Sequence, residues 1–332
     1  MSEPSLFDEV RRAAARVARE ARQVRIDDAA LERFADALAA DAAGLVAPAL
    51  DPAHHFLGDD ATTAAFVFAI DAINFGSGWF PLLAKRDGLS GYLTIASALR
   101  ERFERAGAFS ARELRALGAE DVGAMLGQLA RDGAHPDAME LMALYARALR
   151  DLGEWLDRHF AGSALAAVEE ADGCAESLVR RLAAMPLYRD VSRYAGRDGA
   201  SFDVPLYKRA QITVSDLAAA FDGRGPGAFR DLDALTMFAD NLVPHVLRCR
   251  GVLAYDAALA RRIDAGDLLE AGAGEEVEIR AVGLHAVEGL VAALRARGVV
   301  ATARALDGRL WTSGQDPAIK ARPRHRARSV YY

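Results

Sequence analysis

The spacing of apolar residues constrains this chain more than any other feature. Leu6, Val10, Ala14 and Val17 recur at intervals of three and four, the pattern of a helix with one apolar stripe. Ser5, with Asp8 three places on, reads as its N-terminal cap. The same period runs approximately through 28–45, 62–75, 91–105, 111–117, 122–132, 138–158 and 164–184. Alternation of period two is scarce. Val277 and Ile279 alternate with Glu276 and Glu278, but Leu284, Val287, Leu290, Val291 and Leu294 follow, so the segment reads as a helix with glutamates in its first turn. The pattern predicts an all-α fold.

Composition narrows the functional class. With 332 residues, 52% hydrophobic and 27% charged, the chain is long enough to bury a sizeable core without disulfide or metal staples, and intrinsic disorder is excluded for most of it. Cys174 and Cys249 are too few for a disulfide framework and lack the paired spacing of a zinc site, which fits a reducing compartment and predicts a cytoplasmic location. The longest apolar run, 64–70, is broken by Asp71 and falls far short of the roughly 20 residues of a membrane helix. At the N-terminus Glu3, Asp8, Glu9 and Glu20 interrupt the arginines and no apolar core follows, which argues against a targeting peptide. A net charge of −6 disfavours a protein that lies along duplex nucleic acid, where phosphate neutralisation supplies most of the affinity. Of 41 basic residues only Lys85, Lys208 and Lys320 are lysines, and where Arg is so favoured a surviving Lys points to a need for its compact, tunable ammonium.

The organisation expected is a single domain over 1–332, made of helical lobes at roughly 1–195 and 196–332 with the active-site cleft between them. The Gly-rich stretch 196–201 marks their junction, and a second such stretch occupies 223–227. The tail 320–328 carries five Lys or Arg and His325, yet the chain finishes in Val330-Tyr-Tyr332, an apolar close that predicts packing back onto the body.

Several polar residues interrupt apolar surroundings. Asp71 and Asn74 stand three apart and share a helical face with Val67, which admits either a helix-end hydrogen-bond network or a ligand contact. Phe75, Trp79 and Phe80 beside them read first as core. Asp240 precedes Pro244, a residue confined to the first turn of a helix, so Asp240 reads as an N-cap. The alternative is a carboxylate held at a cleft edge beside Phe238, able to stabilise positive charge developing on a substrate. Tyr207-Lys208-Arg209 opens a helix with two cations; such pairs are ordinarily solvated, and the sharper reading is a phosphate partner. His54 and His55 match no zinc spacing and point in different directions. Asp307, among apolar residues, reads as a turn or cap. No P-loop, dinucleotide fingerprint, nucleophile elbow, metalloprotease helix or deaminase cysteine pair is present, so neither a cofactor nor a metal is expected.

These segments resemble the queuosine salvage (queuosine-5'-phosphate N-glycosylase) family. The matching stretches are Asp71-Ala-Ile-Asn-Phe75, Tyr207-Lys-Arg-Ala-Gln211, Leu235-Thr-Met-Phe-Ala-Asp240, Glu276-Val-Glu-Ile-Arg280 and His325-Arg-Ala-Arg328-Ser-Val-Tyr-Tyr332, ordered from about residue 50 to the end. The resemblance implies an all-helical fold similar to helix-hairpin-helix DNA glycosylases and hydrolysis of the bond joining queuine to ribose 5-phosphate. It implies Asp240 at the chemical centre and Lys208 beside it, pairing with the phosphate or with Asp240. His55, Asp71, Asn74, Phe238 and Asp307 would then contact the substrate, with Phe238 stacking on the base, Asn74 reading a polar edge, and Asp71 and Asp307 facing the cationic amine of the cyclopentenediol arm. The expected partner is a small-molecule nucleotide, with no duplex nucleic acid, no membrane and a monomeric state. Two rivals are a helix-hairpin-helix DNA or nucleoside glycosylase acting on another base, gripping phosphate with 223–227, and a noncatalytic helical nucleotide-binding protein.

Overall fold

The computed structural model describes residues 5–46 and 49–332, and its elements are predominantly helical. Two 23-residue helices organise the packing. Ala138–Phe160 turns Leu141, Met142, Tyr145, Leu149, Leu152 and Leu156 inward and meets the helices Asp60–Ala72, Ala111–Ala116, Ala119–Leu126 and Ala164–Glu169. Gly274–Ala296 is buried on most of its faces and packs against Leu6–Glu20, Asp28–Ala40, Leu242–Cys249 and Ala303–Ser313. A third helix, Lys208–Ala220, links the first group to Ala175–Ala183 by packing against both Asp60–Ala72 and Ala175–Ala183. The buried apolar residues form one continuous cluster from Leu6 to Tyr332. The two N-terminal helices pack on Gly274–Ala296, so distant parts of the chain share one packing group.

The stripe Leu6, Val10, Ala14 and Val17 is buried as the periodicity requires. The Ser5 side chain does not cap that helix: its hydroxyl donates to Glu176 Oε2 (2.8 Å), and Glu176 Oε1 accepts from Leu6 N (3.0 Å). Three expected helices stop early or break. The segment 28–45 is α-helical only over Asp28–Ala40, and 122–132 ends at Leu126. The segment 164–184 splits into Ala164–Glu169 and Ala175–Ala183, because Asp172 and Gly173 turn through positive φ and Asp231 then caps the second helix from 56 residues away (Ala175 N to Oδ1, 2.6 Å). A distant cap of this kind leaves no local signature.

The expectation of a wholly helical chain needs one correction. Three small strand pairs occur: Val24–Ile26 antiparallel to Leu253–Tyr255, Val191–Ala195 antiparallel to Ser201–Pro205, and Leu268–Leu269 parallel to Arg326–Ala327. The Gly-rich stretch 196–201 is the turn of the second pair. The tail packs back: Tyr332 is buried, its oxygen accepts from Gly76 N (2.9 Å), and Gly78 lies so close that a Cβ there would overlap the Ala327 carbonyl. No described helix is long and apolar enough to cross a membrane.

Candidate active site

The loop 235–240 is held at almost every residue. Gln211 pairs its side-chain amide with Thr236, accepting from the backbone N–H and donating to the hydroxyl (both 2.9 Å). Asp307 Oδ1 accepts from Phe238 N (2.9 Å), and Arg280 Nε donates to Ala239 O (2.9 Å). Asp240 Oδ1 then accepts from Leu242 N (2.9 Å) and Val243 N (3.0 Å), the opening N–H groups of Leu242–Cys249. Asp240 is therefore a cap, and its Oδ2 keeps no hydrogen bond among the described residues. A carboxylate fixed through one oxygen presents the other in a defined direction.

The same arginine sets the position of Lys208. Arg280 is fully buried and grips Asp190 with two nitrogens (2.6 and 3.1 Å), with Glu276 beside it at 3.5 Å. Asp190 Oδ2 accepts from Lys208 N (3.1 Å) and its carbonyl from Leu206 N (2.9 Å), so it caps the start of Lys208–Ala220 behind Tyr207, whose φ of +48° makes the turn. One guanidinium thus ties the Asp240 loop to the Lys208 helix. From there Lys208 Nζ reaches Asn74, donating to its backbone and side-chain oxygens (both 3.0 Å), and Asn74 Nδ2 donates to Asp71 Oδ1 (3.1 Å).

The cations of Tyr207-Lys208-Arg209 are not solvated. Arg209 is buried between Phe75 and Tyr188 and donates to Ala72 O (2.6 Å) and to Leu187 O, closing the end of Asp60–Ala72; its role is to hold Asp71 and Asn74 in place. Phe75 and Trp79 are core. Asp307 is neither turn nor cap: it sits mid-helix in Ala303–Ser313, and Thr302 caps that helix.

Four carboxyls surround Lys208: the buried Asp71, Asp216 and Asp307 and the part-buried Asp240. Burial raises the pKa of all four. Asp71 is pushed up to about 6, against the pull of Asn74 and Lys208, and its Oδ2 is buried without a hydrogen-bond partner among the described residues. Asp216 is pushed well above its ordinary value by burial and then by the charge of Asp71. For Asp240, the two backbone N–H groups and Lys208 oppose burial. Burial lowers Lys208, opposed first by Asp240 and then by Asp71. His55 stands one residue further out. Its Nδ1 faces Asp51 O (3.0 Å), so its Nε2 accepts from the Tyr92 hydroxyl (3.0 Å), and burial lowers its pKa and keeps it neutral. Tyr92 lies within charge range of both Asp216 and Asp71, with Trp311 against its ring.

Asp71, Asn74, Lys208, Phe238, Asp240 and Asp307 therefore converge, and His55 joins them through Tyr92. Sequence reasoning missed Asp216, Tyr92 and the Asp190–Arg280 pair. Asp216 follows Lys208 by eight residues on the same helical stripe, a lone acid in an apolar helix, which is a readable signal. Asp190 carries none, since its partner lies 90 residues away. Among the described residues no group of His, Cys, Asp and Glu is arranged to hold a metal ion.

Fold and site together describe a helical protein with a desolvated, backbone-anchored carboxylate beside a buried ammonium, an arrangement suited to stabilising positive charge on a bound small molecule. The profile of the family described as "Queuosine salvage protein" matches residues 54–332, and the chain belongs to that family. It is 36% identical to a Sphaerobacter thermophilus protein over 322 residues, covering 96% of this chain and 95% of the relative. It is 31% identical to a Bos taurus protein and 30% to a Mus musculus protein, each alignment covering 97% of this chain and 98% of the relative. All three carry the name queuosine 5'-phosphate N-glycosylase/hydrolase.

Proposed function

We propose that this chain hydrolyses the N-glycosidic bond of queuosine 5'-phosphate, releasing queuine and ribose 5-phosphate, with Asp240 as the catalytic carboxylate. The observation that carries the reading is Asp240 itself: a part-buried carboxylate with one oxygen fixed by two backbone N–H groups, the other without a hydrogen bond among the described residues, and the Lys208 ammonium in charge range. As the base departs with the bonding electron pair, C1' acquires oxocarbenium character. A preorganised carboxylate in a desolvated site stabilises that charge far better than water does. Water then adds to C1', Asp240 orients it and accepts its proton, and a proton passes in turn to the ring nitrogen of the departed base, so that water is divided between ribose and queuine. Lys208 holds Asp240 ionised and takes its own position from Asn74.

Queuine is a deazapurine with carbon in place of the seven-position nitrogen, so protonation there is unavailable and the departing base needs other hydrogen bonds. Phe238 stacks on the base and Asn74 reads its polar edge in this reading. The cationic arm faces Asp71, whose Oδ2 has no hydrogen-bond partner among the described residues, with Asp216 next to it and with the His55–Tyr92 pair behind. Asp307 is committed to Phe238 N and acts by holding the stacking residue. The fold is read as similar to helix-hairpin-helix glycosylases, with the cleft between helical lobes, and the protein as a cytoplasmic monomer that binds a nucleotide and no duplex.

Chromatography of queuosine 5'-phosphate after incubation with wild type and with Asp240→Asn, both with chelator present, tests the assignment. The expected result is queuine released by the wild type and release slower by about 10²–10³-fold in the variant. Equal release by both returns Asp240 to the role of helix cap. Release by neither overturns the glycosylase reading.

A further inference from the structure

Asp240 has a second cationic neighbour, and the fold does not use it. Arg324 lies in the returning tail, whose backbone is fixed on its C-terminal side: Asn241 Nδ2 donates to His325 O (3.1 Å), and Arg326–Ala327 pairs with Leu268–Leu269. Since Asn241 follows Asp240 directly, these bonds set Arg324 against the catalytic loop. The next two arginines of the tail are engaged. Arg326 Nη2 donates to Gly266 O (2.8 Å), and Arg328 Nη1 pairs with Glu140 (2.8 Å). The partly buried guanidinium of Arg324 makes no hydrogen bond or ion pair among the described residues, although Asp240, Arg326 and Lys85 all lie within charge range of it.

A guanidinium offers five N–H donors and cannot shed its charge, so partial burial without an acceptor is unfavourable until an anion arrives. Lys85 adds a second cation. It is one of only three lysines in the chain, on an exposed turn where long-range attraction of an anion costs little desolvation. Charge contacts link the Asp71–Asp216 pair to Lys208, Lys208 to Asp240, Asp240 to Arg324 and Arg324 to Lys85. A molecule with a cation at one end, a glycosidic carbon in the middle and an anion at the other end matches that order in one orientation only.

We propose that Arg324, supported by Lys85, is the phosphate subsite of this active site and the determinant of nucleotide over nucleoside selectivity. The proposal rests on the glycosylase reading above. Arg324 takes two phosphate oxygens through its planar fork, which places the ribose C1' back toward Asp240, and Lys85 closes the rim as a point charge. Asp240 on the near side sets a limit: an anion seated between it and Arg324 would be repelled, so the phosphate sits on the Lys85 side of the guanidinium.

The test compares kcat/KM for queuosine 5'-phosphate and for the queuosine nucleoside in wild type, Arg324→Ala, Arg324→Lys and Lys85→Ala. The nucleotide-to-nucleoside ratio is expected to fall by about 30- to 100-fold in Arg324→Ala, in line with loss of charge-assisted hydrogen bonds. It falls less in Arg324→Lys and several-fold in Lys85→Ala, and the Lys85 effect shrinks with added salt. Lys85 is exposed, so its variant reads the subsite even where Arg324→Ala fails to fold. An unchanged ratio in the Arg324 and Lys85 variants overturns the proposal, as does an equal loss for both substrates. Calorimetric binding of ribose 5-phosphate to wild type and Arg324→Ala gives an arm independent of turnover. Weaker binding by the variant supports the subsite even where no queuine is released, an outcome that would overturn only the glycosylase reading, whereas equal binding removes Arg324 from the site.

Discussion

Asp71→Asn should make the ligand-free protein more stable at neutral pH while weakening its activity. The Asp71 carboxyl is fully buried, Oδ2 has no hydrogen-bond partner among the described residues, and burial pushes its pKa up to about 6 from an ordinary 3.8. A folded-state pKa above the unfolded one means that ionisation opposes folding. Below about pH 4 the group is neutral in both states and costs nothing; as pH rises from there through 6 the penalty grows, and above 6 it is complete. The interval corresponds to ~3 kcal/mol at about 1.36 kcal/mol per pH unit, an upper figure because water and substrate relieve part of it. Asparagine removes the titration, keeps an oxygen to accept from Asn74 Nδ2, and turns an N–H toward the place of the unsatisfied oxygen. Urea unfolding of both proteins between pH 4.5 and pH 8 measures the difference from midpoints and slopes. The stability gain of the variant should be smallest at the acid end, about a third of its full value at pH 4.5, and largest above pH 6, with hydrolysis of queuosine 5'-phosphate reduced throughout. A gain that does not grow with pH, or a variant less stable than wild type at pH 8, refutes the reasoning.

Two further outcomes follow from the same geometry. Lys208→Ala removes the cation that opposes burial at both Asp240 and Asp71, so both carboxyls rise further and the acidic limb of the kcat/KM profile moves to higher pH; a pH–rate profile with an unmoved limb separates Lys208 from Asp240. Arg280→Met leaves Asp190 and Glu276 buried without their counter-charge and frees the Ala239 carbonyl, an expected loss of about 3–5 kcal/mol. Thermal unfolding reads it, and a melting temperature within ~2 °C of wild type would contradict the clamp.

Periodicity of apolar residues is a local property, which is why helix positions were legible and their ends were not. The stripe from Leu6 to Val17 is buried as read, but Ser5 gives its hydroxyl to Glu176, and the break at 170–174 depends on Asp231. Site residues were legible where a polar side chain stood in an apolar helix or beside a proline, as with Asp71, Lys208 and Asp240. The cap reading of Asp240 and the cleft-edge reading turn out to be compatible, because one oxygen serves the helix and the other is free. The solvated reading of Lys208 and Arg209 failed because no pattern along one helix reveals which neighbour covers its first turn.

Residue types and their spacing were enough to make this chain helical, to mark the acids and the lysine that interrupt its apolar surfaces, and to carry the family resemblance. Tertiary structure alone decided which of those groups meet. Arg280 reaches Ala239, 41 residues away in the chain, and Asp190, 90 residues away, and so positions Asp240 against Lys208. It also decided their ionisation, since the lift on Asp71, Asp216, Asp240 and Asp307 comes first from removal of water, a property of how the helices close over the site.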